Sequence, residues 1–490
     1  MASPTDIGSR RELFVDHLLV DKLKKAYLHQ HEPQPQELAL RRNQPCEGRF
    51  CGYGTVIRDG DRVLYYYRGW PGTDGPAVYC VAESSDGVRF KRPNLGLHAW
   101  KGSKKNNIIL TGGNGSEDNL THSFAPFLNT RPGAPKGQRF LAFGLGRCKK
   151  GERGSQFGTA LFAYASADGI QWRRLHKKPI ITDGAFDSQN VGFWSEAEGR
   201  YVAYYRTFDG LTGEETAFGP TTCGPMARRI KRAVSEDFLH WEPGELMTYR
   251  HGDGPAPLEQ FYINQTRPYF RAPHIYMALP ARFLGKRPAL TPEAGKATGA
   301  SESQLDCCSD ACFMTARPGN AWYDRTFLEA LVKPPIGDKH WTGRCNYPTD
   351  GVLQTGETEL SIYIDECYAQ KESRVRRYSL RLDGFASVRA PLLGGELLTK
   401  PLTFTGDALE LNYATSAAGS LRVEIRDVRN RPLPGYTLRE AVDIFGNRIA
   451  GQAQWKHGTD VRTLAGKPVR LRFVLRDADL YAYRFAGAGD

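Results

Sequence analysis

The chain has 490 residues and a formal charge of +12, with 40% hydrophobic and 11% aromatic residues. That is enough apolar material for a sizeable core, and 52 Gly with 30 Pro fit a turn-rich β protein better than a helical one. No apolar run reaches the roughly 18–20 residues a membrane helix requires, and no nucleic-acid module is recognisable, so the positive balance reads as solvated loop charge or as a match for an anionic ligand.

The start, Met1-Ala2-Ser3-Pro4-Thr5-Asp6, lacks the charged-then-apolar pattern of a secretory leader. A secreted or periplasmic protein with its leader removed is the expectation, with a cytoplasmic location as the alternative. Residues 1–45 read as a lead-in that wraps or closes the next domain: Glu12-Leu13-Phe14-Val15-Asp16 is extended, and a polar, Pro-containing stretch comes after it.

A short phrase then recurs. It is Ser85-Asp86-Gly87-Val88-Arg89-Phe90, Ser166-Ala167-Asp168-Gly169-Ile170-Gln171-Trp172 and Ser235-Glu236-Asp237-Phe238-Leu239-His240-Trp241, with degraded copies at Thr315 to Trp322 and Asp383-Gly384-Phe385. Each clear copy reads as a strand end, an Asp-centred turn and an aromatic. The spacing is roughly 65–80 residues, longer than the roughly 40–50 of a minimal four-stranded blade, so the blades carry loops. Five copies predict a five-bladed β-propeller over residues 46–393, with one strand of each blade around a central pocket. The inner strands and their partners fall at Gly52 to Ile57 with Arg62 to Arg68, Ser123 to Asn129 with Gln138 to Gly144, and up to Trp194 with Arg200 to Arg206. The last two blades use Phe261 to Phe270 with Pro273 to Ala281, and Asn346 to Leu353 with Glu359 to Cys367. Asp59-Gly60 and Glu198-Gly199 mark the hairpins of the first and third blades. Leu290 to Asp306 reads as a loop. From 394 to 490 the turn phrase stops and alternating strands predict a β-sandwich accessory domain. The fold class is all-β.

The ten cysteines make no zinc pattern; free thiols or one or two disulfides, Cys46 with Cys51 among them, are the expectations.

In a propeller the inner strands start, and the second strands end, at the same mouth of the channel. The starts supply Glu47, then Glu117, Asp118 and His122, then Asp187, Gln189 and Asn190, then Glu259, Gln260, Tyr262, Asn264 and Gln265, then Arg344, Asn346, Tyr347 and Asp350. The second-strand ends supply Arg68, Arg206 with Asp209, Arg282, Asp365 and Glu366. Carboxylates, amides, guanidiniums and aromatics in one ring make a sugar-type site: carboxylates serve as acid and base, amides and Arg hold hydroxyls, and aromatics stack on ring faces. Asp187, Glu259 and Glu366 are the candidate catalytic carboxylates. Glu47, Arg68, His122, Gln189, Asn190, Arg206, Asn264, Arg344, Asn346, Tyr347 and Asp365 are the candidate substrate-binding residues.

This plan resembles the five-bladed propeller glycoside hydrolases, broadly families 32, 43, 117 and 130, over about residues 11 to 390. The segments Leu13-Phe14-Val15-Asp16, Lys104-Lys105-Asn106-Asn107-Ile108-Ile109, Phe186-Asp187-Ser188-Gln189-Asn190 and Gly394-Gly395-Glu396-Leu397-Leu398-Thr399-Lys400-Pro401-Leu402 are similar to a bacterial group, common in planctomycetes, that carries a loose glycoside-hydrolase label. The resemblance implies an Asp base, an Asp modulator and a Glu acid at inner-strand starts, a placement that Asp187 and Glu259 match and Glu366 matches only at the channel mouth. The Trp-Met-Asn-Asp-Pro and Arg-Asp-Pro motifs of family 32 are missing, so neither the sugar nor the stereochemistry carries over. No cofactor is required; several relatives hold a central divalent ion, and His122 is where a Ca2+ would sit.

The expected function is glycoside hydrolysis in the central pocket, exo-acting on an oligo- or polysaccharide, with an anionic one suiting the charge. The carbohydrate is the only partner predicted, with no nucleic acid and no membrane span. A non-catalytic glycan-binding propeller and a glycoside phosphorylase are the alternatives. Two carboxyl groups about 5–5.5 Å or about 6.5–9.5 Å apart favour hydrolysis. Two or more Arg, Lys or His converging beside the acid favour phosphorolysis.

Overall fold

The computed structural model describes residues 3–112, 120–148, 158–209 and 227–487. They form two compact units: Gln34–Thr355 with Ser361–Ser379, and Met1–Pro33 with Gly356–Leu360 and Leu380–Asp490.

The first unit is a five-bladed propeller. Its first three blades are four-stranded antiparallel sheets that open on Gly52–Asp59, Phe124–Leu128 and Val191–Ser195. The fourth opens on Thr266–Tyr269 and grows to six strands, because Thr248–His251 adds in parallel to Trp322–Asp324 at its outer edge. The fifth, opening on Tyr347–Pro348 and Leu353–Gln354, takes its outer strand Gln34–Arg41 from the other end of the unit, antiparallel to Arg374–Arg381. That strand exchange closes the ring by joining the two ends of the unit in one blade. The inner strands of the last two blades are shorter than the sequence predicts. Leu290 to Asp306, predicted as a loop, contains the helix Pro292–Ala297, capped by Thr291, whose hydroxyl accepts from the Ala294 amide at 3.2 Å.

The repeated phrase is a hydrogen-bonded turn. Ser84 Oγ accepts from the Gly87 amide at 3.0 Å and Asp86 Oδ1 from the Val88 amide at 2.8 Å. Ser166 with Asp168, and Ser235 with Asp237, repeat both contacts. The serine that works in the first copy is thus Ser84, one residue before the phrase. The fourth residue of the turn has positive φ, Gly87 at 81° and Gly169 at 78°, and Phe238 adopts it at 71°. Tyr66 of the first blade donates to Gly169 O at 2.9 Å, and Tyr363 of the fifth donates to Gly87 O. These two turns therefore tie the first blade to the second and the fifth to the first, above apolar layers such as Ile57, Leu64, Phe124 and Phe140.

Two polar layers cross the central channel. Gln189 Nε2 donates to Gly54 O at 3.0 Å and Thr55 Oγ1 at 2.8 Å, and Gln265 Nε2 donates to Gln189 Oε1 at 2.7 Å and Pro348 O at 3.0 Å. Beyond it, Arg267 pairs with fully buried Asp350, Nε to Oδ1 at 2.8 Å, and donates to Gly192 O and Pro126 O. The inner strands of all five blades are stapled by these two layers, so a pocket at the mouth has a floor.

In the second unit one ten-stranded sheet folds over a single apolar core in sandwich fashion. Ala408–Asp427 and Val469–Ala486 pair along their length with a register break between Thr415 and Ser420. Strands of the lead-in, Thr5–Gly8, Glu12–Leu13, Val20–Lys24 and Tyr27–Gln30, all pair within this sheet. The units therefore divide at Pro33 and near Leu380, where the sequence predicts boundaries at 45 and 393. Within the lead-in, only Gln34 onward belongs to the propeller.

The nine described cysteines are free thiols, Cys46 and Cys51 included; Cys51 Sγ donates to Glu47 O at 3.0 Å. Among the described residues no helix is long and apolar enough to cross a membrane.

Candidate active site

A recess at the channel mouth draws side chains from every blade. Tyr53 and Arg68 come from the first, His122 from the start of the second, Asp187 and Arg206 from the third, Tyr262 from the fourth, and Arg344, Tyr347 and Tyr368 from the fifth. Rings and guanidiniums interleave: Arg68 lies 4.7 Å from the Tyr53 ring centre, Arg206 and Arg344 each 5.4 Å from that of Tyr262, and Tyr262 5.5 Å from Tyr347. Arg228, 4.8 Å from Tyr262, stands behind Arg206. The Asp187 side chain is 60% exposed.

Asp187 Oδ1 meets His122 Nε2. On the other side of the ring, Arg68 Nη1 approaches His122 Nδ1 at 3.5 Å. Arginine can only donate, so Nδ1 accepts and Nε2 carries the proton that points at Asp187. That tautomer is neutral. Burial lowers the His122 pKa, against the Asp187 hydrogen bond, and the charges of Arg68 and Arg206 lower it further. Enclosure alone would raise the Asp187 carboxyl, but the His122 bond and the same two guanidiniums outweigh it and hold the carboxyl well below the usual range. At neutral pH the pair is a carboxylate beside a neutral imidazole. Its loop is fixed by Asn190, whose Nδ2 donates to Phe186 O at 3.0 Å and Ser188 O at 2.8 Å while its Oδ1 accepts from the Arg206 amide at 3.1 Å.

The three candidate catalytic carboxylates do not share a site. Glu259 is 3% exposed and held by Arg282 Nη1 at 2.8 Å and Arg325 Nε at 2.9 Å. Glu366 is 1% exposed and held by Arg374 Nε at 2.6 Å and Arg376 Nε at 2.7 Å. Each carboxylate is enclosed and bonded on both oxygens, so no substrate oxygen reaches it in this arrangement, and their partners share nothing with those of Asp187. Glu366 sits on the strand face opposite Asp365, against the neighbouring strand rather than the channel. Of the predicted binding residues, Arg68, His122, Arg206, Arg344 and Tyr347 line the recess. The others are structural. Glu47 is buried against Arg92 at 2.6 Å and Tyr67 at 2.5 Å, and Asp365 against Arg42 at 2.5 Å. Gln189 floors the channel; Asn190, Asn264 and Asn346 spend their amides on backbone groups, Asn346 on Ser309 O at 3.0 Å and His340 O at 2.9 Å. Glu117 and Asp118 lie outside the described residues, as does the side chain of Asp209.

Sequence reasoning misses Tyr53 and Tyr368. Tyr53 lies on the first inner strand with φ 53°, which nothing in the chain announces; Tyr368 comes just after the second strand of the fifth blade, beyond Glu366, where the count of mouth residues stops. Among the described residues no group of three or more His, Cys, Asp or Glu is placed to hold a metal ion. A Ca2+ at His122 does not fit: both ring nitrogens are engaged, and the nearest charges besides Asp187 are the guanidiniums of Arg68 and Arg206.

No protein-family model and no curated protein sequence matches the chain. Similar solved structures include glycoside hydrolases. One is described only as a glycoside hydrolase, with a TM-score of 0.45 and 13% identity over 71% of this chain and 92% of its own. A family 43 arabinoxylan arabinofuranohydrolase from Bacillus subtilis has a TM-score of 0.40 and 11% identity over 91% of this chain and 98% of its own. A third, from a study of mannoside phosphorylases and hydrolases of family 130, has a TM-score of 0.41 and 14% identity over 71% and 93%. At this similarity none assigns a role to a residue here.

Proposed function

We propose that the chain is a carbohydrate-active enzyme that cleaves a glycosidic bond in the propeller recess, with Asp187 as the reacting carboxylate. The observation that carries this reading is the contrast among the three candidates: Asp187 alone is exposed, beside a cluster of arginines and tyrosines, while Glu259 and Glu366 are enclosed by arginines. Ionised and oriented by His122, Asp187 serves as a base that takes the proton of a water attacking the anomeric carbon, while the glycosidic C–O bond breaks and its oxygen leaves with a proton drawn from solvent. Tyr53, Tyr262 and Tyr368 pack against the guanidiniums of Arg68, Arg206 and Arg344 and so orient them toward a sugar's oxygens. A recess floored by the Gln189–Gln265 layer takes the end of a chain, which favours exo-action. The test is incubation of the purified protein with a panel of oligo- and polysaccharides, neutral and acidic, followed by mass spectrometry of the products. Glycans that bind at the recess and return intact would replace this reading with a non-catalytic carbohydrate-binding propeller.

A further inference from the structure

Resting on the reading of the recess as a glycan-cleaving site, we propose that a bound oxyanion belongs to its reactive complex, held by Arg68, Arg206 and Arg344. The three guanidiniums enter one recess from three blades, and none has an ion-pair partner among the described residues. Arg206 gives one side-chain hydrogen bond, Nε to Ala185 O at 2.9 Å. Arg68 reaches only uncharged groups, Phe50 O and Tyr368 Oη at 3.2 Å each and His122. Arg344 makes no hydrogen bond and no ion pair with any described residue; it lies over the rings of Tyr262 at 5.4 Å and Tyr368 at 6.0 Å.

Elsewhere in the propeller, enclosed arginines meet carboxylates: Arg42 with Asp365, Arg92 with Glu47, Arg267 with Asp350, Arg325 with Glu259. A guanidinium withdrawn from water without a counter-charge is costly, and among the described residues Asp187, which no arginine bonds directly, is set against Arg68 and Arg206 together. The deficit is a ligand-shaped one. Planar guanidinium forks match the paired oxygens of a sulfate, a carboxylate or a phosphate. Two further observations point into the same place. The hydroxyl of Tyr347, a residue only 6% exposed, has no hydrogen-bond partner among the described residues. Arg344 and Tyr53 both sit at positive φ, 61° and 53°, a conformation bulky residues rarely adopt and one that strain-tolerant functional sites collect.

The anion has two possible sources: a charged group on the glycan, or free inorganic phosphate as co-substrate. In the second case an oxygen of hydrogen phosphate bonds to the anomeric carbon, the glycosidic C–O bond breaks, its oxygen leaves with the proton the phosphate gives up, and a sugar 1-phosphate is released. The experiment titrates inorganic sulfate, inorganic phosphate and glucuronate into the wild-type protein at constant ionic strength, by calorimetry, and repeats this with Arg344→Met, Arg344→Lys, Tyr347→Phe and Asp187→Asn.

The expected result is saturable binding of at least one anion. Arg344→Met should weaken it about 10–100-fold, as loss of a charge-assisted contact does, and Arg344→Lys should recover part of that. Asp187→Asn should tighten it, because the like charge of that carboxylate is gone. Cleavage of acidic but not neutral glycans without phosphate places the anion on the sugar; a phosphate requirement with sugar 1-phosphate as product makes it the co-substrate. Anion binding that is absent from the wild type, or the same in folded Arg344→Met and Tyr347→Phe, overturns the proposal even if glycans are cleaved. Anion binding lost in Arg344→Met, with no glycan cleaved, keeps the anion site and removes the cleavage reading instead.

Discussion

Glu259→Gln separates a structural carboxylate from a reacting one. Glu259 is 3% exposed and holds Arg325, itself fully buried, through Nε at 2.9 Å and Nη2 at 2.8 Å, besides Arg282 at 2.8 Å. Gln removes the charge and turns an amide NH2 toward guanidinium donors. Arg282 keeps Asp310, at 2.6 Å, but Arg325 is left with backbone carbonyls, those of Phe313 at 2.8 Å, Phe327 at 2.6 Å and Leu328 at 3.0 Å. Breaking a buried ion pair from one side costs about 3–5 kcal/mol. The propeller unit spans about 340 residues, whose unfolding entropy at about 2.1 cal/mol/K per residue is about 0.7 kcal/mol/K, so its melting temperature should fall by about 4–7 °C. The assay is scanning calorimetry beside kcat/KM on a cleaved glycan, measured well below the transition, where the loss of activity should be small. A Glu259→Gln protein that melts like the wild type and loses activity 100-fold or more would refute the structural assignment and return Glu259 to the reacting groups.

Arg267→Met, which strands Asp350 in the channel floor, should cost about 3–5 kcal/mol by the same reasoning and show as a lowered urea midpoint at unchanged slope. Stability should also depend on His122 in a direction fixed by linkage. Its folded pKa is below the ordinary value of 6.5, so the unfolded chain binds the proton first, and stability falls as pH drops below about 6.5 toward the lowered folded value. His122→Gln should flatten that part of the acid limb in calorimetric scans between pH 7 and 5; an identical limb in the variant contradicts the neutral assignment. In the second unit, Trp455→Ala removes a fully buried indole and its hydrogen bond to Val423 O at 3.0 Å, and should cost about 3–5 kcal/mol in the transition of that unit without changing glycan binding.

The blade count is legible because the Ser-Asp turn is local chemistry: Ser Oγ and Asp Oδ1 bond amides two and three residues away, so the residues themselves carry the signal. From that register Asp187, His122, Arg68, Arg206 and Arg344 emerge as mouth residues. Glu259 and Glu366 mislead because polarity at a strand end does not tell a reacting carboxylate from a paired one. The partners of Glu259 lie 23 and 66 residues on, at Arg282 and Arg325, beyond any local pattern. The partners of Glu366 are nearer to hand: Arg374 and Arg376 alternate on the next strand and so share a face, which is a readable sign of pairing. The amides Gln189, Asn190, Asn264 and Asn346 mislead for a similar reason, since a channel packed with inner-strand ends has many backbone groups to satisfy. The lead-in strands pair with partners nearly 400 residues away, as Thr5 does with Leu402, and no spacing rule reaches that far.

The most direct test is the ratio of kcat/KM for Asp187→Asn to that of the wild type on one cleaved glycan, with the melting temperature of each recorded alongside. Removal of a reacting base predicts a loss of about 10²–10⁴-fold at a melting temperature close to the wild type, because the side chain is 60% exposed and its one direct bond among the described residues is to His122. A folded Asp187→Asn protein within a few fold of wild-type activity would contradict the account.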